Sequence, residues 1–115
     1  MYAKLYIMTN EQQALKLILT YDMATENVQE YYHFVMGRYI PDMQKLGFEL
    51  IEAWTYAYSA DKNVPNRTLA FVCRRSDSMD KLLTSEQWEQ LNDTLDGFVA
   101  NFDFKFVPYR AGFQI

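Results

Sequence analysis

Glu52 is the residue whose type and neighbours best suit acid/base chemistry. It lies in the run Leu50-Ile51-Glu52-Ala53-Trp54, where a two-residue period sets it on an aromatic strand face with Phe48, Trp54, Tyr56 and Tyr58. A carboxylate against aromatic walls has its pKa raised and can act as a proton shuttle, which makes Glu52 the one catalytic candidate. The competing and favoured reading is an ion pair across a sheet with Lys16, Arg74 or Lys105, or a carboxylate on a solvent-exposed strand. On that reading, Glu52→Gln leaves any activity intact.

His33 is the only histidine. Glu30-x-x-His33 matches half of a carboxylate-bundle metal motif, but such sites draw ligands from several helices and the chain has no second copy. Glu26, Glu30, His33 and Gly37 recur at four, three and four residues, as the polar stripe of a helix does, so His33 is expected in solvent. One His and one Cys cannot form a Cys/His zinc site within a chain. No metal or other cofactor is expected. Cys73 stands in an apolar run and reads as a buried, reduced thiol of a cytoplasmic protein.

Aromatic side chains are the abundant resource: 2 Trp, 9 Tyr and 8 Phe make up 17% of the 115 residues. Tyr21, Tyr32, Trp54, Tyr56 and Trp88 are the candidate lining of a pocket between helices and sheet for a small aromatic or hydrophobic molecule, with Tyr31, Tyr39 and Tyr58 nearby. Such residues at core spacing also read as plain core. Buried phenols need hydrogen-bond partners, however, which favours an interface or pocket over a dry interior. Arg38, Arg74 and Arg75 could receive an acidic ligand group, although solvated surface is the simpler reading. There is no Gly-rich phosphate loop and no Ser/His/Asp constellation.

A formal charge of −4 leaves no basic footprint for nucleic acid, which is not expected as a partner. Residues 76–98 carry six acids against Lys81 alone, so the acidity belongs to one solvated helical face. No stretch approaches the ~20 apolar residues that span a bilayer, and the first residues lack the pattern of a secretory signal, so no membrane partner is expected.

These residues must be positioned by one domain, 1–115, since the length suits a single core. Residues 1–13 read as an N-terminal extension, with an extra edge strand over Tyr2 to Met8. Leu15, Leu17, Leu19 and Tyr21 alternate with Lys16, Ile18, Thr20 and Asp22, which is a strand. Asp22 or Thr25 can cap a following helix whose stripe is Val28, Tyr32, Val35 and Tyr39, widened by Tyr31, Met36, Ile40 and Met43. Pro41 is expected to kink or restart it, and Gly47 to end it in the left-handed region. Phe48 to Tyr58 reads as a long strand, 59–67 as a turn, and 68–74 as a third strand in which Leu69, Phe71 and Cys73 share a face.

Ser76 opens a helical region whose register breaks between Leu83 and Trp88. Thr84 with Gln87 fits a capping box, Ser85 is a second cap candidate, and Gly97 ends the longer helix. Phe102, Phe104 and Phe106 then alternate with Asp103, Lys105 and Val107 as a fourth strand. The order is βαββαβ: an α+β, ferredoxin-like chain with a four-stranded antiparallel sheet and both helices on one face. The helices cover one face only. Neither alternate set of the second strand suits water, so the other sheet face is expected to pack against a second copy in a homodimer.

Several landmarks, spread over Leu17 to Tyr109, carry a family resemblance. They are Leu19-Thr20-Tyr21, the helix pair Tyr31-Tyr32, Pro41 before Gly47, Leu50-Ile51-Glu52-Ala53-Trp54, the Asn66-Arg67 turn, and Trp88 after a helix break. On these the chain resembles the dimeric α/β-barrel superfamily, and within it NIPSNAP-like domains. Where that family has a glycine before the small residue and Trp, this chain has Glu52. The resemblance implies a homodimer in which two four-stranded sheets close into a barrel. Related barrels include cofactor-independent monooxygenases, haem-degrading enzymes, and isomerases or dehydratases of aromatic compounds. Those monooxygenases tend to have an Asn on the first strand, where Leu17 to Tyr21 has none. The readings carried forward are a small-molecule-binding NIPSNAP-like domain, a monooxygenase or acid/base isomerase, and a dimerisation module without ligand.

Overall fold

The computed structural model describes residues 14–55, 65–75 and 77–109. The expected extension 1–13, Tyr56, Tyr58, most of the turn after the second strand, and Ser76 lie outside the described residues. The strands are β1 (Leu15–Met23), β2 (Glu49–Thr55), β3 (Arg67–Cys73) and β4 (Val99–Pro108). They form one antiparallel sheet in the order β2-β3-β1-β4. Helices lie on one face, giving the expected α+β, ferredoxin-like arrangement with the other face of the sheet open.

In β1 the sequence pattern is realised without change. Leu15, Leu17, Leu19 and Tyr21 are buried beneath the helices, while Lys16, Ile18 and Thr20 face the other way. Four apolar side chains on one side fix the register, because a slip of one residue would send all of them to the open face. Asp22 does not cap the first helix. Its carboxylate accepts from the Asn66 backbone N–H (2.9 Å) and from Asn101 Nδ2 (2.9 Å), tying the end of β1 to both neighbours. The Asn101 backbone has φ 58°, within the irregular pairing of β1 with β4. Asn27 is the helix cap, its side chain accepting from the Glu30 backbone N–H, with Thr25 Oγ1 bonded one step earlier to the Asn27 N–H.

The first helical run comprises α1 (Val28–Phe34), a π-helical turn (Val35–Tyr39) and α2 (Ile40–Lys45). Its buried stripe is Tyr31, Val35, Tyr39 and Met43, whereas Val28, Tyr32 and Met36 are exposed. The expected Val28/Tyr32 stripe is therefore corrected by one position. Residues four apart drift by about 40° per step on a regular α-helix. A wider π turn takes up much of that drift and keeps all four on the sheet. Pro41 follows at once; it has no N–H to give the Gly37 carbonyl and its ring crowds that turn, which favours the wider winding. α2 ends as expected. Gly47 has φ +93°, its N–H bonds to the Gln44 carbonyl, and the Phe48 N–H bonds to the Met43 carbonyl, a Schellman closure with Met43 and Phe48 both buried.

β2 departs from the expected alternation. Leu50 pairs with Phe71 but Glu52 pairs with Ala70, so Ile51 is an extra residue, a β-bulge. Phe48 and Leu50 consequently belong to the helix side, while Glu52 and Trp54 lie on the open face. The single aromatic row read from the sequence is split between the two faces.

The second helical region breaks where expected, into α3 (Asp77–Leu83) and α4 (Glu86–Asp96). Ser85 is the cap, its Oγ accepting from the Trp88 N–H, whereas Thr84 bonds back to the carbonyls of Asp80 and Lys81. Trp88, Leu91 and Leu95 are buried against the sheet. Phe102, Phe104 and Phe106 do turn toward the helices, but β4 is an edge strand and Phe104 remains exposed.

Candidate functional site

The pairing register places Lys16, Ile18, Thr20, Thr68, Ala70, Val72, Glu52 and Trp54 on the open face. Lys16 stands opposite Val72 and Glu52 opposite Ala70, on the two sides of β3. Their charged ends meet at 2.6 Å, so the bridge passes over the central strand above Ala70 and Val72, which are 2% and 1% exposed. The other Glu52 oxygen accepts from Trp54 Nε1 at 3.0 Å. The Lys16 ammonium and the Trp54 indole hold the Glu52 carboxyl below the usual carboxylate range, against a smaller opposing effect of burial. The raised pKa anticipated for a proton shuttle is thus reversed in sign, and the ion pair with Lys16 is realised. The indole itself is 59% exposed on this face, held by a hydrogen bond rather than by packing.

The other candidate residues lie elsewhere. Tyr21 is buried under α1, its hydroxyl 2.6 Å from that of Tyr31. Its ring stacks on Phe102 and meets Tyr31 edge to face. Trp88 Nε1 donates to the Tyr39 hydroxyl at 3.1 Å, and that hydroxyl donates to Asn92 Oδ1 at 2.7 Å. Burial pushes the Tyr21, Tyr31 and Tyr39 hydroxyls above the ordinary phenol range, so they remain neutral donors and acceptors. The buried phenols between helices and sheet therefore have partners inside it, Tyr21 and Tyr31 in each other and Tyr39 in Trp88 and Asn92. Tyr32 is 43% exposed on α1, its ring 5.1 Å from that of Tyr31. The structure does not gather Tyr21, Tyr32, Trp54 and Trp88 into one cavity.

Trp88 also borders an open depression of about 400 Å³ at the corner between α3 and α4, shared with Leu83, Ser85, Glu89, Asn92 and Asp93. Its rim is acidic and it lies on the helix side, away from Trp54 and Glu52. His33 is exposed, as expected. Among the described residues no group of three His, Cys, Asp or Glu side chains is placed to hold a metal ion, and no helix is long and apolar enough to cross a membrane. Cys73 is buried, and burial pushes its thiol pKa up.

One arrangement has no counterpart in the sequence pattern. Arg67, at the start of β3, lies over the rings of both Tyr31 and Tyr32, at 5.9 and 5.8 Å from their centroids. The Asn66-Arg67 pair was legible as a turn, but no spacing rule connects it to α1 some 35 residues earlier in the chain.

This topology, with its helices on one side of a 2-3-1-4 sheet, recurs in solved structures. A NIPSNAP family protein from Agrobacterium tumefaciens superposes with TM-score 0.60 at 13% identity, over 86% of this chain and 95% of that one. The chain has the fold of NIPSNAP-type domains. An uncharacterised NIPSNAP-like domain protein from Burkholderia xenovorans matches with TM-score 0.60 at 9% identity, over 92% of each chain. A dimeric protein of unknown function with a ferredoxin-like fold, from Bacteroides fragilis, matches with TM-score 0.53 at 13% identity, over 84% of this chain and 96% of that one. No protein-family model and no curated protein matches the sequence. At these identities the likeness concerns the NIPSNAP-type fold and not its chemistry.

Proposed function

We propose that this chain works as a homodimeric NIPSNAP-like domain in which two copies lay their open sheet faces together and close a barrel. A small aromatic or hydrophobic molecule is then held against Trp54 at the rim of that interface. The observation that carries the reading is the 59% exposed Trp54 indole, oriented by Glu52 on an open face that also carries Ile18, Thr20, Thr68, Asp103, Lys105, Val107 and the Lys16–Glu52 pair. Trp is among the residue types most often dominant in interfaces. The ion pair suits the same purpose, because a partner that covers it desolvates two charges already bonded to each other rather than one left alone. One protein of similar fold is described as dimeric.

The ligand is assigned to Trp54 and not to the space between helices and sheet, because Tyr21, Tyr31, Tyr39 and Trp88 in that space are buried and hydrogen-bonded among themselves or to Asn92. The reading calls on no cofactor, and the lone buried Cys73 suits a cytoplasmic location. An acid/base enzyme gains no support from Glu52, whose carboxylate is held ionised by Lys16.

Sedimentation from submicromolar to high-micromolar protein, with wild type and Trp54→Ala side by side, tests the proposal. At 59% exposure the indole offers roughly 150 Å² to a partner. Full burial of that area is worth about 4 kcal/mol per protomer. Incomplete burial brings this near 2 kcal/mol, so the substitution should weaken dimerisation by at least about 30-fold. A wild type that stays monomeric throughout, or an unchanged association constant in Trp54→Ala, refutes the dimer. Quenching of indole fluorescence by 2-naphthol that persists in Trp54→Ala refutes the ligand assignment.

A further inference from the structure

Arg67 opens β3 on the helix side, opposite Tyr21 of β1 and Thr55 of β2. Its guanidinium sits in an aromatic corner, because the Tyr31 and Tyr32 rings it lies over meet edge to face at 67°. Among the described residues no carboxylate comes within ion-pairing distance of it, although the other ion pairs of the chain occupy Lys16, Lys45, Arg75 and Lys81. Its Nε is buried and has no hydrogen-bond acceptor among the described residues, the side chain's polar neighbour there being the neutral Tyr31 hydroxyl. Buried polar groups are rarely left in that condition, and a buried charge is normally paired. The residue as a whole keeps partial access to solvent, and Tyr32 beside it is 43% exposed. A cation without counter-charge among the described residues, walled by one buried and one accessible aromatic ring, is the arrangement that recognises a planar anion carrying a flat apolar body.

We propose that Arg67, with Tyr31 and Tyr32, forms a binding site for an aromatic carboxylate. The carboxylate lies side by side with the guanidinium fork, and the ring it carries packs on Tyr32. Arg suits this better than Lys, since the planar fork matches two carboxylate oxygens at once. Tyr31 supports the floor, being fixed by its bond to the Tyr21 hydroxyl. The site lies on the helix side of the sheet, so it does not depend on the dimer or on Trp54.

Benzoate is the probe, titrated into the ¹⁵N-labelled full chain and followed by amide and side-chain Nε resonances, with acetate and inorganic phosphate as comparison anions. Saturable shifts centred on Arg67, Tyr31 and Tyr32 are expected, with benzoate binding at least about tenfold more tightly than acetate. Arg67→Gln should weaken benzoate by about tenfold or more, and Arg67→Lys by less. Tyr32→Ala, at an exposed position, should reduce benzoate to the level of acetate while leaving acetate unchanged. If Arg67→Gln fails to fold, the Arg67→Lys and Tyr32→Ala variants decide the matter, and unchanged benzoate affinity in both overturns the proposal. So do the absence of saturable shifts, shifts centred on Lys16 or Lys105, or phosphate binding as tight as benzoate.

Discussion

The packed interior can be tested at a single oxygen atom. Tyr39→Phe keeps the ring, with its edge contact to Phe34 and its tilted contact to Phe71, and removes only the hydroxyl. Two hydrogen bonds go with it. Asn92 is part-buried and can turn to water, but Trp88 Nε1 lies in a residue only 6% exposed and has no other acceptor given to it in the network. Leaving a buried donor unmade costs about 1–3 kcal/mol, and 2 kcal/mol is a fair centre for a partner near the surface of α4. For a domain of this length that corresponds to a fall in Tm of roughly 6–10 °C. Thermal and urea unfolding by circular dichroism measure it, and Trp88→Phe alone and with Tyr39→Phe completes a cycle. The double variant has neither donor nor acceptor, so its cost should fall short of the sum of the singles by about 1 kcal/mol. A Tm within about 1 °C of wild type in Tyr39→Phe, or strict additivity, refutes the claim that these groups satisfy each other. It would mean instead that the Trp88 N–H is served by water in an open cavity.

Three further outcomes follow from the backbone and the ion pair. Gly47→Ala has room for its methyl, 3.8 Å from Ser78 Oγ, but must hold φ +93°, so it should lose about 1–2 kcal/mol in urea unfolding; Gly37→Ala meets nothing within 4 Å and should be neutral or stabilising by up to ~1 kcal/mol. The Glu52 pKa is lowered in the folded chain, so its pairing stabilises at neutral pH and that contribution is lost as pH falls through the folded value. The gap between wild type and Glu52→Gln, under ~1 kcal/mol for so exposed a pair, should therefore close below about pH 4, and a gap that widens on acidification contradicts the pairing. Deleting Ile51 removes the bulge but leaves Glu52 opposite Ala70 and Trp54 opposite Thr68, so the Trp54 emission and the effect of Glu52→Gln should both survive; their loss would mean that β2 is a regular strand.

Which parts of the fold could be read in advance depended on how much one face decides. β1 is legible because four apolar residues share a side and a slip of one residue would expose them all. β2 is not, because Phe48, Leu50, Glu52 and Trp54 alternate perfectly in sequence and a bulge leaves no mark in residue type. Glu52 was the hint: a carboxylate in an aromatic row signals either a special pKa or a row that is broken, and here it is broken. The first helix fails for a related reason. A 3.6-residue period selects Val28, Tyr32, Val35 and Tyr39, whereas the π turn before Pro41 rewards a spacing of four and selects Tyr31 in place of Tyr32.

The candidate site was misread through hydroxyls rather than through hydrophobicity. Nine tyrosines in one small domain argue for a pocket or interface only if their polar tips lack partners inside. Tyr21 finds Tyr31 ten positions along the chain, and Tyr39 finds Trp88 forty-nine positions along, contacts that depend on the closed sheet and not on any local spacing. Once those tips are paired, polar aromatics behave as core, and their number no longer speaks for a ligand. Among the described residues the most exposed aromatics are Trp54 and Tyr32, on opposite faces of the sheet, each beside a charge. They differ in one respect that matters for binding. Trp54 is oriented before any partner arrives, because its N–H is held by a carboxylate that is itself held by Lys16, so little conformational freedom remains to be lost on association. Tyr32 faces a guanidinium that has no such counter-charge among the described residues. The first arrangement suits a neutral surface such as a second copy of the same sheet, and the second suits an anion.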